Sequence, residues 1–303
     1  MLFYPNYYPS FACIADKCRH NCCIGWEIDI DEDTLAYYDA LGGAFGTRLA
    51  NSILREDGCA CFALDEKERC PFLNDKNLCD IIASLGEDAL CDICTDHPRF
   101  RHFFTDRTEL GLGLTCEAAS VLILGMREKM TLVEDINSDG GSEAPTEQEK
   151  RFYAQRERLF EIAQRRELPL DVRMKALLSE VGGGDAGKSF AEWADLYENL
   201  ERMDSSFDAV ILRMRSLADS SFDACDEILF EQLLVYFLYR HLTPNTVTAA
   251  SSFAVHATRL LRALAACDRL SFEETAELCR LYSSEIEYSE ENTVALLALF
   301  RRG

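Results

Sequence analysis

Basic charge is scarce in this 303-residue chain: 31 Lys+Arg stand against 53 Asp+Glu, a net charge of −22. A phosphate-binding face needs clustered Lys and Arg, so this balance argues against nucleic acid or an anionic membrane as a partner. It suits a basic, lysine-bearing partner instead. No run of about 18 apolar residues occurs, so no membrane-spanning helix is expected. The opening segment Met1 to Pro9 has neither a basic stretch nor a long apolar one, and a cytoplasmic location is expected. No Gly-x-Gly-x-x-Gly turn joins a strand to a helix, so no dinucleotide-type domain is announced. The Cys-x₃-Cys-x₂-Cys spacing of radical S-adenosylmethionine enzymes is also missing: after Cys18 and Cys22 the third position is Gly25.

Cysteine, by contrast, is abundant. Of 14 cysteines, eleven lie between Cys13 and Cys116. In a reducing compartment thiols stay free, so such density argues for metal rather than disulfides. The first group is Cys13, Cys18, Cys22 and Cys23, separated by polar residues, which is unlike scattered core filler. Cys59 and Cys61 follow, then Cys70-Pro-Phe-Leu with Cys79, then Cys91-Asp-Ile-Cys94 before His97-Pro98-Arg99, and last Cys116 after Gly111-Leu-Gly-Leu-Thr115. A Cys-x₂-Cys step lets two thiolates reach one centre, as zinc and iron–sulfur sites both require. Only Cys91–Cys94 and Cys18–Cys22 offer the close pairs zinc usually takes, while the dispersed thiols at 70, 79 and 116 suit an enclosed cluster equally. Thiolate softness suits both, so spacing leaves zinc and iron–sulfur level.

The pattern predicts a mainly α fold. An irregular, cysteine-rich, metal-binding N-terminal part with a small β element over Trp26–Asp31 packs on a helical C-terminal part. Asp33 or Thr34 is a candidate cap for a helix through Leu41 that the glycines at 42, 43 and 46 end. A buried helix is expected after Cys116. The regions expected are 1–133 for the cysteine-rich part, 134–148 as a polar linker, and 149–303 as a helical domain. Helical periodicity runs through 152–163 and 170–178, then near 189–203, 206–218, 222–242, 246–267, 272–287 and 291–301. Cys225, Cys267 and Cys279 read as core residues there.

Together these motifs resemble the flagellin lysine-N-methylase family. The resemblance rests on Phe11-x-Cys13, Cys18-x₃-Cys22-Cys23, Trp26-x-Ile28-x-Ile30-Asp31, Cys70-Pro-Phe-Leu-x₅-Cys79, Leu85-Gly86-Glu87, Cys94-x₃-Pro98-Arg99, Gly111-Leu-Gly-Leu-Thr-Cys116-Glu-Ala-Ala119 and Glu231-Gln-Leu-Leu-Val-Tyr236 through His241. It implies iron–sulfur-dependent transfer of methyl from S-adenosylmethionine to lysines of flagellin or a similar lysine-bearing protein. It tilts the metal toward a [4Fe–4S] cluster, with zinc as the alternative. The ligand positions it implies are Cys13, Cys18, Cys22, Cys23, Cys70, Cys79, Cys94 and Cys116. Cys59, Cys61 and Cys91 are less typical of the family, as extra ligands or bystanders.

Arg99 is the candidate for holding S-adenosylmethionine or balancing the thiolate charge. Glu109, Glu117 and Asp96 are candidates for the incoming ammonium, against ordinary ion-pair roles, and His97 and His102 are candidate ligands, against plain polar roles. No catalytic base is assigned. The competing reading is a non-enzymatic interaction or scaffold protein stabilised by zinc or iron.

Overall fold

The computed structural model describes residues 1–56, 58–136, 143–184, 186–217 and 226–301. In chain order its elements are β1 (Leu2–Pro5), α1 (Glu32–Ala40), α2 (Gly43–Asn51), β2 (Ile53–Glu56), β3 (Cys59–Phe62), α3 (Asp80–Leu85), α4 (Asp92–Asp96), β4 (Arg99–Phe103), β5 (Thr108–Leu112), α5 (Glu117–Gly125) and β6 (Leu132–Glu134). The long helices follow: α6 (Glu147–Ala163), α7 (Leu170–Val181), α8 (Phe190–Glu198), α9 (Phe207–Ser216), α10 (Glu227–His241), α11 (Val247–Asp268), α12 (Phe272–Ile286) and α13 (Glu290–Phe300). The fold is mainly helical with a small sheet. No described helix is long and apolar enough to cross a membrane.

Two compact units emerge, residues 12–100 and residues 1–11 with 101–303. The segment 134–148 falls within the second, and its centre, 137–142, lies outside the described residues, as does Cys225.

In the 12–100 unit the alternation at Trp26–Asp31 buries Ile28 and Ile30 and leaves Glu27 and Asp29 exposed. The segment runs along β3, with the Ile30 N–H donating to the Ala60 carbonyl at 2.8 Å and the Phe62 N–H to the Ile28 carbonyl at 3.0 Å. It forms a single bridge at Asp29 rather than a strand. The cap of α1 is Asp31, two residues before the expected Asp33: its carboxylate accepts from the Thr34 N–H at 2.8 Å. Leu41 and Gly42 separate α1 from α2, whereas Gly43 opens α2 and Gly46 lies inside it. The core joins Ile28, Tyr38, Leu49, Phe62 and Phe72 to Cys70 and Cys91.

In the other unit the sheet order is β4-β5-β1-β6, with β1 parallel to β5 and antiparallel to β6. The helices carry apolar stripes such as Leu159, Ala163, Leu170, Met174 and Leu177, all buried. Capping boxes start α6, α8 and α12, at Thr146–Glu149, Ser189–Glu192 and Ser271–Glu274. Gly182, at φ +62, takes the left-handed turn that ends α7. Helix α10 is buried along nearly its whole length. Its Glu231 is fully enclosed and pairs with Arg173 at 2.5 Å and Arg166 at 2.8 Å. Glu287 accepts from Tyr236 at 2.7 Å and pairs with His241 at 2.7 Å, and the Leu114 N–H donates to the Tyr236 hydroxyl at 3.2 Å. The Gly111–Cys116 and Glu231–His241 motifs are therefore tied to one another inside this unit.

Candidate metal centre

Short backbone pairings order the segments that carry six thiols in the 12–100 unit. Residues 23–25 run antiparallel to 68–70: the Cys70 N–H donates to the Cys23 carbonyl at 2.8 Å and the Gly25 N–H to the Glu68 carbonyl at 3.0 Å. Gly25, at φ +90, turns the chain out of this pairing in a conformation that side chains resist. The segment Phe72–Asp80 then folds back on itself, with the Asp80 N–H donating to the Phe72 carbonyl at 2.8 Å. This places Cys79 beside Leu73 and at the N-terminus of α3. Inside the turn, Asn74 accepts from the Lys76 and Leu78 N–H groups and donates to Asp80.

The third piece is α4. Cys91 precedes its first residue, and the Cys94 and Thr95 N–H groups both donate to the Cys91 carbonyl at 3.0 Å. The Cys91 and Cys94 sulfurs lie 3.4 Å apart. Asp31 fixes this helix as well: its second carboxylate oxygen accepts from the Asp92 N–H at 2.9 Å. Burial would raise its pKa, but the backbone hydrogen bonds from Asp92 and Thr34 prevail and hold it below the usual range.

The thiols act on one another electrostatically. Cys22 and Cys23 share a hydrogen bond, which lowers the pKa of Cys22; the same bond, with burial and the charges of Cys22, Cys70 and Cys94, drives Cys23 far up. Cys91 and Cys94 repeat this: their mutual bond lowers Cys91 and raises Cys94. Burial pushes Cys70 up to about 11 and also raises Cys79, against the Ile82 and Ile81 N–H groups that favour its thiolate. Within each pair the shared hydrogen bond favours the charged form of one thiol over that of the other. A metal would release the remaining protons, since thiolate is the ligand form.

Among the described residues, no three Cys, His, Asp or Glu side chains stand together as ligands for a single ion. The donors are soft thiol sulfurs, the type that zinc and iron–sulfur centres both take. Two carboxylates also act on them, Asp31 on Cys91 and Asp80 on Cys79.

The other cysteines have different local settings. Cys13 is exposed and its sulfur accepts from the Ala15 N–H at 3.4 Å, while the Cys18 thiol donates to the His20 carbonyl at 3.3 Å. Cys61 faces carboxylates: burial, Glu27 and Asp29 raise its pKa. Cys59 and Cys267 are exposed, and Cys279 is enclosed in α12. Cys116 caps α5 in the helical unit.

Arg99 donates to the Thr95 carbonyl at 3.0 Å, which holds its charge against α4. Glu109 is fully buried and engaged by Arg156 through two 2.7 Å bonds and by Arg107 at 2.9 Å, an ion-pair role that leaves no oxygen for an incoming amine. Burial pushes both His97 and His102 down to about 4. His97 packs against Trp26 at 5.8 Å between ring centres, and His102 bonds the Tyr239 carbonyl at 3.1 Å. Cys91 and Tyr38 shape the site although the family pattern does not single them out, as does Asp31, which that pattern includes; for Cys91 the Cys-x₂-Cys spacing is the available signal.

The chain thus divides into a unit rich in free thiols and a mainly helical one. Its residues 187–303 match the FliB lysine N-methylase C-terminal domain. Over 136 residues, 43% of this chain, it is 27% identical to proteins named lysine-N-methylase from Salmonella typhimurium and Salmonella choleraesuis. It shows the same identity, over the same share of the chain, to the flagellar biosynthetic protein FliU of Salmonella muenchen. The match spans 34% of the length of the first two and 80% of the third. No solved structure matches the chain.

Proposed function

We propose that this chain is a protein-lysine N-methyltransferase that holds an iron–sulfur cluster on cysteine thiolates, uses S-adenosylmethionine, and acts on flagellin or a similar lysine-bearing protein. What supports the reading is the mutual electrostatic influence of Cys22, Cys23, Cys70, Cys79, Cys91 and Cys94, in a chain whose residues 187–303 match the FliB lysine N-methylase C-terminal domain. In the reaction the neutral lysine Nζ forms a bond to the methyl carbon as the sulfonium S–C bond breaks. S-adenosylhomocysteine leaves, and the methylated nitrogen gives up a proton.

Cys22, Cys23, Cys70, Cys79 and Cys94 would hold an iron–sulfur group, which would supply Lewis-acidic iron near the methyl donor. The chain's own residues do the rest. Arg99, anchored on Thr95, supplies positive charge to offset the thiolates or meet a carboxylate. Tyr38 donates to the Ala89 carbonyl at 2.6 Å and, with Asp31, fixes the approach to Cys91. The net charge of −22 favours approach of a lysine-rich surface.

The test is incubation of anaerobically purified protein with flagellin and S-adenosylmethionine, followed by mass spectrometry of flagellin lysines. Methylated lysines that need both reagents support the reading; their absence with fully metal-loaded protein contradicts it. One observation favours the scaffold alternative: Cys70 and Cys91 are built into the core with Ile28, Tyr38 and Phe72. There the metal would complete a core too small to hold alone. Loaded, folded protein without methyl transfer would favour that alternative.

A further inference from the structure

Three cysteines of the N-terminal unit fall outside the family pattern, and the structure separates them. We infer that Cys91 is a ligand of the same centre as Cys94, Cys22, Cys23, Cys70 and Cys79, and that Cys59 and Cys61 are not. The inference rests on the metal-binding reading above and gives it a residue-level form.

The first argument is geometric. The α4 turn aims the Cys91 and Cys94 sulfurs at one point and brings them to 3.4 Å. Two thiolates sharing one tetrahedral ion stand about 3.8 Å apart, given metal–sulfur bonds of about 2.3 Å. The pair therefore needs only a few tenths of an ångström of adjustment to bridge a metal. The arrangement is held from outside by Asp31, which accepts from the Asp92 N–H, and by Tyr38, which donates to the Ala89 carbonyl. Shells of this kind orient metal ligands.

The second argument is the company each thiol keeps. Cys91 is fully buried, and its charge is felt at Cys70, Cys94 and Tyr38. Cys61 lies on β3 with Glu27, Asp29 and Glu56 acting on it, and Cys59 is exposed on the same strand. One carboxylate acts on Cys91, that of Asp31, and its oxygens accept from the Thr34 and Asp92 N–H groups, whereas three act on Cys61 and disfavour its thiolate.

The experiment compares the full chain with Cys91→Ser, Cys59→Ser and Cys61→Ser variants, all purified without oxygen. Iron, acid-labile sulfide and the visible spectrum are measured per folded molecule, with far-ultraviolet circular dichroism as the folding check. Serine caps helices well, so Cys91→Ser preserves the start of α4. The inference expects Cys91→Ser to lose most of its iron and sulfide, and the other two to keep the wild-type content. Full retention by folded Cys91→Ser, or loss in Cys61→Ser or Cys59→Ser equal to that in Cys91→Ser, would overturn it.

A second measurement needs no substitution: maleimide labelling of the stripped wild-type chain with and without added cadmium, mapped by peptide mass spectrometry. Cys91 and Cys94 should slow by the same factor when cadmium binds, with Cys61 unchanged. Slowing of Cys94 alone would overturn the assignment. Wild-type protein that holds no iron and binds no cadmium would instead defeat the metal reading itself.

Discussion

The two units solve the same problem, ordering a chain around a core, by different means. Residues 101–303 do it with long helices, enclosed aromatics and buried ion pairs such as Glu231 with Arg173 and Arg166. Residues 12–100 have helices of nine residues or fewer, two strands of four, and a core that includes Cys70 and Cys91 with Cys23, Cys79 and Cys94 packed against it. Short elements bury little apolar area, so such a region needs another source of cohesion. On the metal reading proposed above, the thiols serve at once as part of a core and as ligands of the metal that completes it. One unit should therefore depend on metal and the other should not.

The largest effect expected is from metal removal. Treatment with chelator under reducing conditions should abolish hydrogen-exchange protection across 12–100 while the helices α6 to α13 keep theirs. Equal loss in both units would erase the distinction. Next, Glu231→Ala strands Arg173, which is almost fully buried, and should destabilise the helical unit by about 3–5 kcal/mol in chemical denaturation. Metal content per folded chain should not change.

An acid effect should be common to both units. His97 and His102 are held neutral by burial, with pKa values of about 4 against an ordinary 6.5. Because the folded values are depressed, the unfolded chain binds more protons between them. Stability is complete above about pH 6.5 and declines as pH falls toward 4, by a few kcal/mol at most for each histidine. His102→Gln should flatten this decline in the helical unit alone, read as the melting temperature across that range. The smallest effect sharpens the comparison inside the thiol unit. Asp31→Ala removes the cap of α1 and should cost about 1–2 kcal/mol, detected by thermal melting of metal-loaded protein.

The helical unit was the more legible of the two in sequence. The periodicity near 246–267 and 272–287 meets α11 and α12 within a residue or two, because an amphipathic stripe is a local signal. The sheet was not readable: β1 pairs with Thr108 and Glu109 in one direction and with 132–134 in the other, and such short strands carry no local mark of distant partners. The alternation at Trp26–Asp31 correctly marked Ile28 and Ile30 as inward. It overstated the element, which pairs along β3 through only two of its own backbone groups. The cysteine spacing announced a site but not its membership. The Cys-x₂-Cys spacing marks Cys91 and Cys94 as a close pair, and the start of α4 brings their sulfurs to 3.4 Å. Glu109 looked available in sequence, yet Arg156, 47 residues away, engages both of its oxygens.

The most direct test of the account is iron and acid-labile sulfide analysis, with a visible absorption spectrum, on the full chain purified without oxygen. The account predicts iron with labile sulfide and the broad visible absorption of a thiolate-bound cluster, lost together when the thiol unit unfolds. A folded, colourless protein with neither iron nor sulfide, and with 12–100 fully protected in hydrogen exchange, would contradict it.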